Sequence, residues 1–288
     1  MKTWHNLFFI LAAGIFLSSC EEVVDIKLDS GTSQLAVDGV VLVNDGPQRI
    51  RLTLTQPYFA NGKPAVGASG AEVSIKTSFG QTYTFTEDPA RPGDYVSADT
   101  IRGKTGEVFN LLVRSGGENY AASSVLMRGT VIDTLNQENR PSEFGNPAGV
   151  YLNLVARDSL GPGDFYWIRY ALNGVRDLRP GKLLVSADAA FAPGSADGLE
   201  FIYPVKNSIN NDKPYEAGDK IDVEILSIDF ELWRFLNETN TQINNSGLFA
   251  EPIANVRGNI QNQNPASRVQ AVGCFGIGRV SRASVSIR

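Results

Sequence analysis

Gln34-Leu35-Ala36-Val37-Asp38-Gly39-Val40-Val41-Leu42, followed by Asn44-Asp45-Gly46-Pro47 and then Gln48-Arg49-Ile50-Arg51-Leu52-Thr53-Leu54-Thr55-Gln56, is the stretch that decides the fold. In the second run Ile50, Leu52 and Leu54 alternate with Arg49, Arg51, Thr53 and Thr55. A strand, whose side chains change sides at every residue, turns that pattern into one buried face and one wet face. The Asp-Gly pair between the runs supplies the positive φ that a hairpin turn requires. Two antiparallel strands are therefore expected here.

The same grammar continues outward. Glu72-Val73-Ser74-Ile75-Lys76 leads to a turn at Gly80, Thr82-Tyr83-Thr84-Phe85-Thr86 to a turn at Pro92-Gly93, and Asp94-Tyr95-Val96 precedes Gly106 and Phe109-Asn110-Leu111-Leu112-Val113. Turn signals at intervals of about 8–12 residues between short alternating runs indicate an antiparallel sandwich. Residues 23–127, beginning with a short strand at Val23-Val24-Asp25-Ile26-Lys27-Leu28, are predicted to form one immunoglobulin-like module.

A boundary is expected near Arg128 to Thr130, with a second β-rich domain over 128–288. Val131-Ile132-Asp133-Thr134-Leu135 reads as a strand, and the polar, proline-containing segment from Asn136 to Gly149 as a loop. Val150, Leu152, Leu154 and Ala156 then alternate with Tyr151, Asn153, Val155 and Arg157. Asp164-Phe165-Tyr166-Trp167-Ile168-Arg169-Tyr170 carries aromatic residues on both faces, the pattern of a central strand covered twice, with a ligand-stacking surface as the alternative. Lys220-Ile221-Asp222-Val223-Glu224-Ile225-Leu226 leads into the best helix candidate, near 229–240. There Asp229 can cap, and Phe230, Leu232, Trp233 and Leu236 recur at helical spacing, a stripe that closes a sandwich end. Gly273-Cys274-Phe275-Gly276 and Ala283-Ser284-Val285-Ser286-Ile287 are read as the last two strands. The expected fold class is mostly β: two β-sandwich domains, the N-terminal one immunoglobulin-like, with one short α-helix in the C-terminal domain.

The N-terminus has a different character. Lys2 precedes an apolar run from Leu7 to Leu17, eleven residues long and so too short for a bilayer core, which takes about 20 helical residues. Charge, short apolar core and small residues in that order make a secretory signal over 1–19. Its end, Leu17-Ser18-Ser19-Cys20, resembles a bacterial lipobox, in which the cysteine thiol is acylated and the chain is cut just before it. Cys20 is thus the expected lipidation site and 20–22 the anchor and linker. Each buried methylene contributes about 0.8 kcal/mol, so several acyl chains hold a protein on a membrane without any spanning helix. Glu21 and Glu22 resemble the acidic export signal of surface lipoproteins in Bacteroidetes, which implies an outer-membrane location facing the cell exterior.

Composition narrows the chemistry. Without the signal 269 residues remain, with 25 Lys+Arg once Lys2 is removed against 31 Asp+Glu, and no basic run that would track phosphates, so nucleic acid is disfavoured as a partner. The one histidine, His5, lies in the signal segment, so the mature chain has no Ser-His-Asp or Cys-His arrangement and no histidine zinc site. With Cys20 acylated only Cys274 is left, which excludes an intrachain disulfide and reads as a small buried hydrophobe in a strand. Gly103-Lys104-Thr105 is not a phosphate-cradling loop, because Ala98 stands where that motif needs glycine. Asp158, Asp164 and Asp222 have no spacing that marks a facing carboxylate pair. Neither Asn210-Asn211-Asp212 nor the Asp158 to Asp164 loop carries the twelve-position calcium pattern. No catalytic, cofactor-binding or metal-ligating set is read from the chain.

Asp38-Gly39, Thr55-Gln56-Pro57-Tyr58-Phe59, Val66-Gly67-Ala68 leading to Ala71-Glu72-Val73, Gly93-Asp94-Tyr95, Gly106-Glu107-Val108-Phe109-Asn110-Leu111 and Tyr120-Ala121-Ala122 follow one another here. Farther on come Phe249-Ala250-Glu251-Pro252-Ile253 and Asn255-Val256-Arg257-Gly258-Asn259-Ile260. In that order the segments resemble a Bacteroidetes outer-membrane lipoprotein family known only as a domain of unknown function, number 4249. Ser69-Gly70 departs from its pattern by a longer turn, and Phe109 stands where tyrosine is commoner. The resemblance implies a non-enzymatic accessory or binding partner of a TonB-dependent outer-membrane receptor, held to the membrane by its lipid. A surface adhesin or glycan-binding lipoprotein is the alternative expectation, and a carboxylate-based hydrolase the third.

Overall fold

The computed structural model describes residues 32–57, 63–143, 147–157, 159, 161, 163–177, 182–187, 200–203, 213–245, 250, 252 and 254–288. The signal segment, Cys20 and the strand expected at Val23 to Leu28 lie outside the described residues. What is described is mostly β, with a single α-helix.

The alternating runs of the first half become β1 (Leu35–Leu42), β2 (Arg49–Leu54), β3 (Glu72–Thr77), β4 (Thr82–Glu87), β5 (Asp94–Ser97), β6 (Val108–Ser115) and β7 (Glu118–Val125). In the first hairpin the positive φ falls on Gly46 of the Asp-Gly pair, and also on Asn44 just before it. The seven strands are hydrogen-bonded in the order β1-β2-β5-β4-β3-β6-β7, each antiparallel to its neighbour. Their inward residues, among them Ile50, Leu52, Ile75, Tyr95, Phe109 and Leu111, form one fully buried core.

The second half contains β8 (Val131–Arg140), β9 (Gly149–Arg157), β10 (Phe165–Leu172), β11 (Val175–Arg176), β12 (Leu184–Ala187), β13 (Glu200–Tyr203), β14 (Lys220–Ile228), α1 (Phe230–Ile243), β15 (Gln261–Asn262) and β16 (Ala271–Ser286). The segment read as a loop from Asn136 is strand as far as Arg140. Its polar side chains are exposed, while its backbone pairs with β9 and Glu138 accepts bonds from Arg140 and Asn153. Polarity there marks an open face, not a break in the strand.

β16 is the largest departure from expectation. The two strands read at 273–276 and 283–287 are parts of one sixteen-residue strand. Nothing between Ile277 and Arg282 breaks an extended chain, and the glycines let neighbours come close: a Cβ on Gly276 would lie 2.4 Å from the Leu232 side chain. The first half of β16 pairs with β1 in parallel, Leu35 opposite Ala271 through Leu42 opposite Gly278. The second half pairs antiparallel with β14, Arg279 opposite Ser227 through Ser286 opposite Lys220. A single strand thereby joins β10, β11, β12 and β14 of the second half to the strands of the first in one sheet, while β8, β9 and β13 form a separate three-stranded sheet in the order β13-β9-β8.

Packing follows from that strand. Phe275 and Ile277 enter the first core, together with Ile260. Farther along, Ala283 and Val285 pack on a second core, with Tyr166, Ile168 and Tyr170 of β10 and Ile221, Val223 and Ile225 of β14. Leu152, Leu154 and Ala156 of β9 contribute to the same core. The opposite face of β10 and β14 carries a third cluster in which Leu226 and Ile228 pack with Leu232 and Leu236 of α1.

The helix is fixed by its cap. Asp229 accepts from the Leu232 N–H at 3.0 Å and from the Ser124 hydroxyl at 2.6 Å, and that hydroxyl accepts from the Ile277 N–H at 2.9 Å. One buried carboxylate therefore ties α1 to β7 and, through Ser124, to β16. The crossing between halves is pinned as well: Arg128 Nε donates to Asp164 at 2.8 Å and Thr130 N–H to Ser227 Oγ at 3.0 Å.

Candidate ligand-binding site

Several segments that carried the family resemblance hold strands together. Asp94 is fully buried, with Arg49 at 3.0 Å and Arg51 at 2.8 Å across the β2–β5 pair. Burial pushes its carboxyl up, but the two guanidiniums outweigh that and hold it below the usual carboxylate range. The Tyr95 hydroxyl accepts from the Ala71 N–H at 2.8 Å and donates to the Ala68 carbonyl at 2.7 Å. Asn259 clamps β16, donating to the Phe275 carbonyl at 2.7 Å and accepting its N–H at 2.9 Å. Beside it, a Cβ on Gly258 would sit 1.9 Å from the Gly273 carbonyl oxygen, so only glycine fits.

A cleft with chemistry to spare lies elsewhere, on the sheet face that α1 covers only in part. Along β10, Phe165, Trp167, Arg169 and Ala171 share this face; the partners of Trp167, Arg169 and Ala171 on β14 are Leu226, Glu224 and Asp222, and on β16 the series is Val280, Arg282 and Ser284. Under the helix the face is apolar, with Phe165, Trp167, Leu226 and Val280 packed together. Beyond the helix it becomes charged, and a cleft of about 240 Å³ opens there. Ala171 and Ser284 make a low floor, while Arg169, Arg176 and Arg282 stand around it.

Three guanidiniums converge on one carboxylate. Glu224 Oε2 takes Arg169 Nη2 at 2.7 Å and Arg176 Nη2 at 2.9 Å, and Oε1 takes Arg282 Nε at 2.9 Å. Arg282 also forks onto Asp45 at 2.6 and 2.7 Å, reaching from β16 to the β1–β2 turn. Arg169 stacks on Trp167, 5.0 Å from the ring centroid, and its side chain is only 15 % exposed. Burial lowers its proton affinity, Glu224 opposes that, and the nearby Arg176 and Arg282 lower it further. Its Nε is buried and has no hydrogen-bond partner.

A second, larger cleft of about 440 Å³ runs between β7, α1 and residues 257–263. Its polar groups are largely engaged: Arg234 holds Glu231 at 2.8 Å and Glu238 at 3.0 Å, and Asn259 holds β16. The arginine cleft is the better candidate because its donors outnumber their partners.

The aromatic strand proves to be central, between β14 and the β11 and β12 edge. Tyr166 and Tyr170 are in the second core, and Phe165 lies 5.4 Å from Phe230 and 5.2 Å from Trp233 of α1. Cys274 is buried in β16, where burial first, and the nearby Asp229 next, push its thiol up to about 12. Cys20, the one site residue expected from sequence, lies outside the described residues. Arg169, Arg176, Glu224 and Arg282 were missed because their convergence depends on the registers by which the β10–β11 hairpin, β14 and β16, distant from one another in sequence, line up. The only local signal was the placement of Arg169 one alternation beyond Trp167.

Fold and cleft together define a mostly β protein whose sheet runs through a shared C-terminal strand and carries a cationic cleft on its half-covered face. The chain belongs to the family described as a domain of unknown function, DUF4249, which it matches over residues 21–284. Among curated proteins none matches it.

Proposed function

We propose that the protein is an outer-membrane lipoprotein, tethered through Cys20 and facing the cell exterior, that acts as a non-enzymatic accessory of a TonB-dependent transporter. The observation that carries the reading is the spacing between the lipobox-like Leu17-Ser18-Ser19-Cys20 and the folded body. β1 begins at Leu35, fifteen residues past Cys20, so at about 3.3–3.6 Å per residue the body lies within about 50 Å of its anchor. Because β1 is an interior strand, flanked by β2 and β16, a pull on the linker acts on the centre of the sheet. A body held that close meets membrane partners at high effective concentration. Among the described residues no helix is long and apolar enough to cross a membrane, so the anchoring proposed here rests on the lipid.

Affinity capture of the full-length protein from detergent-solubilised outer membranes tests the partnership. A β-barrel receptor should co-purify in fixed proportion and should be lost from the Cys20→Ser form. Capture of the wild-type protein alone, with no receptor, overturns the accessory role.

A further inference from the structure

We propose that the cleft bounded by Arg169, Arg176 and Arg282 is a binding site for the carboxylate of a small, singly charged ligand. This inference is independent of the lipid anchor, since it rests on Asp45 and on residues of the sheet between Trp167 and Ser284. Arg169, Arg176, Arg282 and Lys220 stand against Glu224, Asp222 and Asp45, an excess of one positive charge. Asp222 is occupied by Lys220 at 3.1 Å and by the Ser284 hydroxyl, so it adds little pull on the arginines.

The fork of a guanidinium matches the two oxygens of a carboxylate, and Arg282 already shows that geometry on Asp45 from within the protein. Donors remain after Glu224 is satisfied. Arg169 engages it through Nη2 while Nε stays buried without a partner, and Arg176 engages it through Nη2 with 45 % of its side chain open. Stacking on Trp167 holds the Arg169 plane in place, which lowers the ordering cost of binding. The cleft, at about 240 Å³, has far more room than the roughly 30 Å³ that one water takes up in the liquid. It can therefore take a carboxylate with a small polar body over Ala171 and Ser284. The excess of one positive charge balances one ligand carboxylate, and a second negative charge would face Glu224 without a counter-charge, which disfavours a phosphate dianion.

The site also sits at the end of the body away from the start of β1. Ala271 lies opposite Leu35, and Ala283 is twelve residues farther along β16, about 40 Å of strand at roughly 3.3 Å per residue.

The test is a titration of the full-length protein with acetate, glucuronate, glucose and inorganic phosphate at constant ionic strength. Binding is followed by the arginine Nε–H signals in ¹H–¹⁵N spectra and by calorimetry. Glucuronate and acetate should shift the Arg169 Nε–H signal saturably, glucose should not, and phosphate should bind more weakly than glucuronate. Arg176→Gln, at a side chain open enough to be replaced without unfolding the sheet, should weaken glucuronate about tenfold. Absence of a saturable shift with both carboxylates, an equal response to glucose, tighter binding of phosphate, or unchanged affinity in Arg176→Gln would each overturn the assignment.

Discussion

Replacing Gly273 by alanine perturbs the shared strand in the first half of the molecule, and the effect can be read in the second. Gly273 has φ +95°, and a Cβ there would lie 2.0 Å from the Val37 carbonyl oxygen and 2.9 Å from the Val37 nitrogen and carbonyl carbon. The positive φ alone costs an L-residue about 1–2 kcal/mol. The overlap is with backbone, so it is relieved only by parting β1 from β16, about 1–3 kcal/mol more on the scale of overpacked cores. Reduced freedom of the unfolded chain returns about 0.4–1 kcal/mol, leaving a net loss of about 1–4.5 kcal/mol. Gly116→Ala is the control: its φ is +59° with nothing within 4 Å, so strain alone operates and the net cost is about 0–1.5 kcal/mol. Urea unfolding followed by tryptophan fluorescence reports Trp167 and Trp233, both in the cluster beside α1. Gly273→Ala should lower the fluorescence midpoint in step with the far-ultraviolet circular dichroism. A fluorescence midpoint left at the wild-type value while circular dichroism falls would refute the idea that β16 makes the halves one cooperative unit.

Further outcomes follow from buried charges and the buried thiol. Asp94→Asn should destabilise the protein by about 1.5–3 kcal/mol, toward the lower value because Arg49 and Arg51 are partly solvated. Since the folded carboxyl sits below its ordinary range, its contribution is full above the unfolded value of about 4 and is lost as pH falls through the folded one. Thermal melts between pH 7 and pH 3 should therefore show a shallower acid dependence in the Asn variant. Asp229→Ala removes the helix cap and leaves Ser124 and the Val125 N–H without their acceptor, a loss of about 2–4 kcal/mol in the same melts. Cys274, with its thiol pushed up to about 12, should react with a thiol reagent at pH 8 only as fast as the protein unfolds, so labelling should accelerate in urea.

Local alternation made much of the fold legible. Arg49 to Leu54 and Glu72 to Thr77 show one wet and one dry face, and the turns at Gly80 and Gly93 have the positive φ that their sequences suggest. The cap at Asp229 was equally readable, because an N-cap is a local device. Long-range pairing was not. The parallel match of β1 with β16 joins residues more than two hundred positions apart, and no local pattern distinguishes a strand with two successive partners from two strands. The candidate site depends on the same unseen information. Arg169, Glu224 and Arg282 are each ordinary charges on a wet strand face until their registers place them in one row. Asn136 to Arg140 misled in the other direction, since a polar strand with both faces open resembles a loop in composition.

The anchoring of the body at a membrane is tested most directly by intact-mass analysis and membrane partition of the wild-type and Cys20→Ser proteins, expressed from the full-length chain in a Gram-negative host. The wild-type chain should begin at Cys20, carry the added mass of acyl chains and stay with the membranes after a high-salt wash, whereas Cys20→Ser should lack that mass and appear in the soluble fraction. An unmodified wild-type mass, or a Cys20→Ser protein that remains as firmly in the membrane fraction, would contradict the lipid tether.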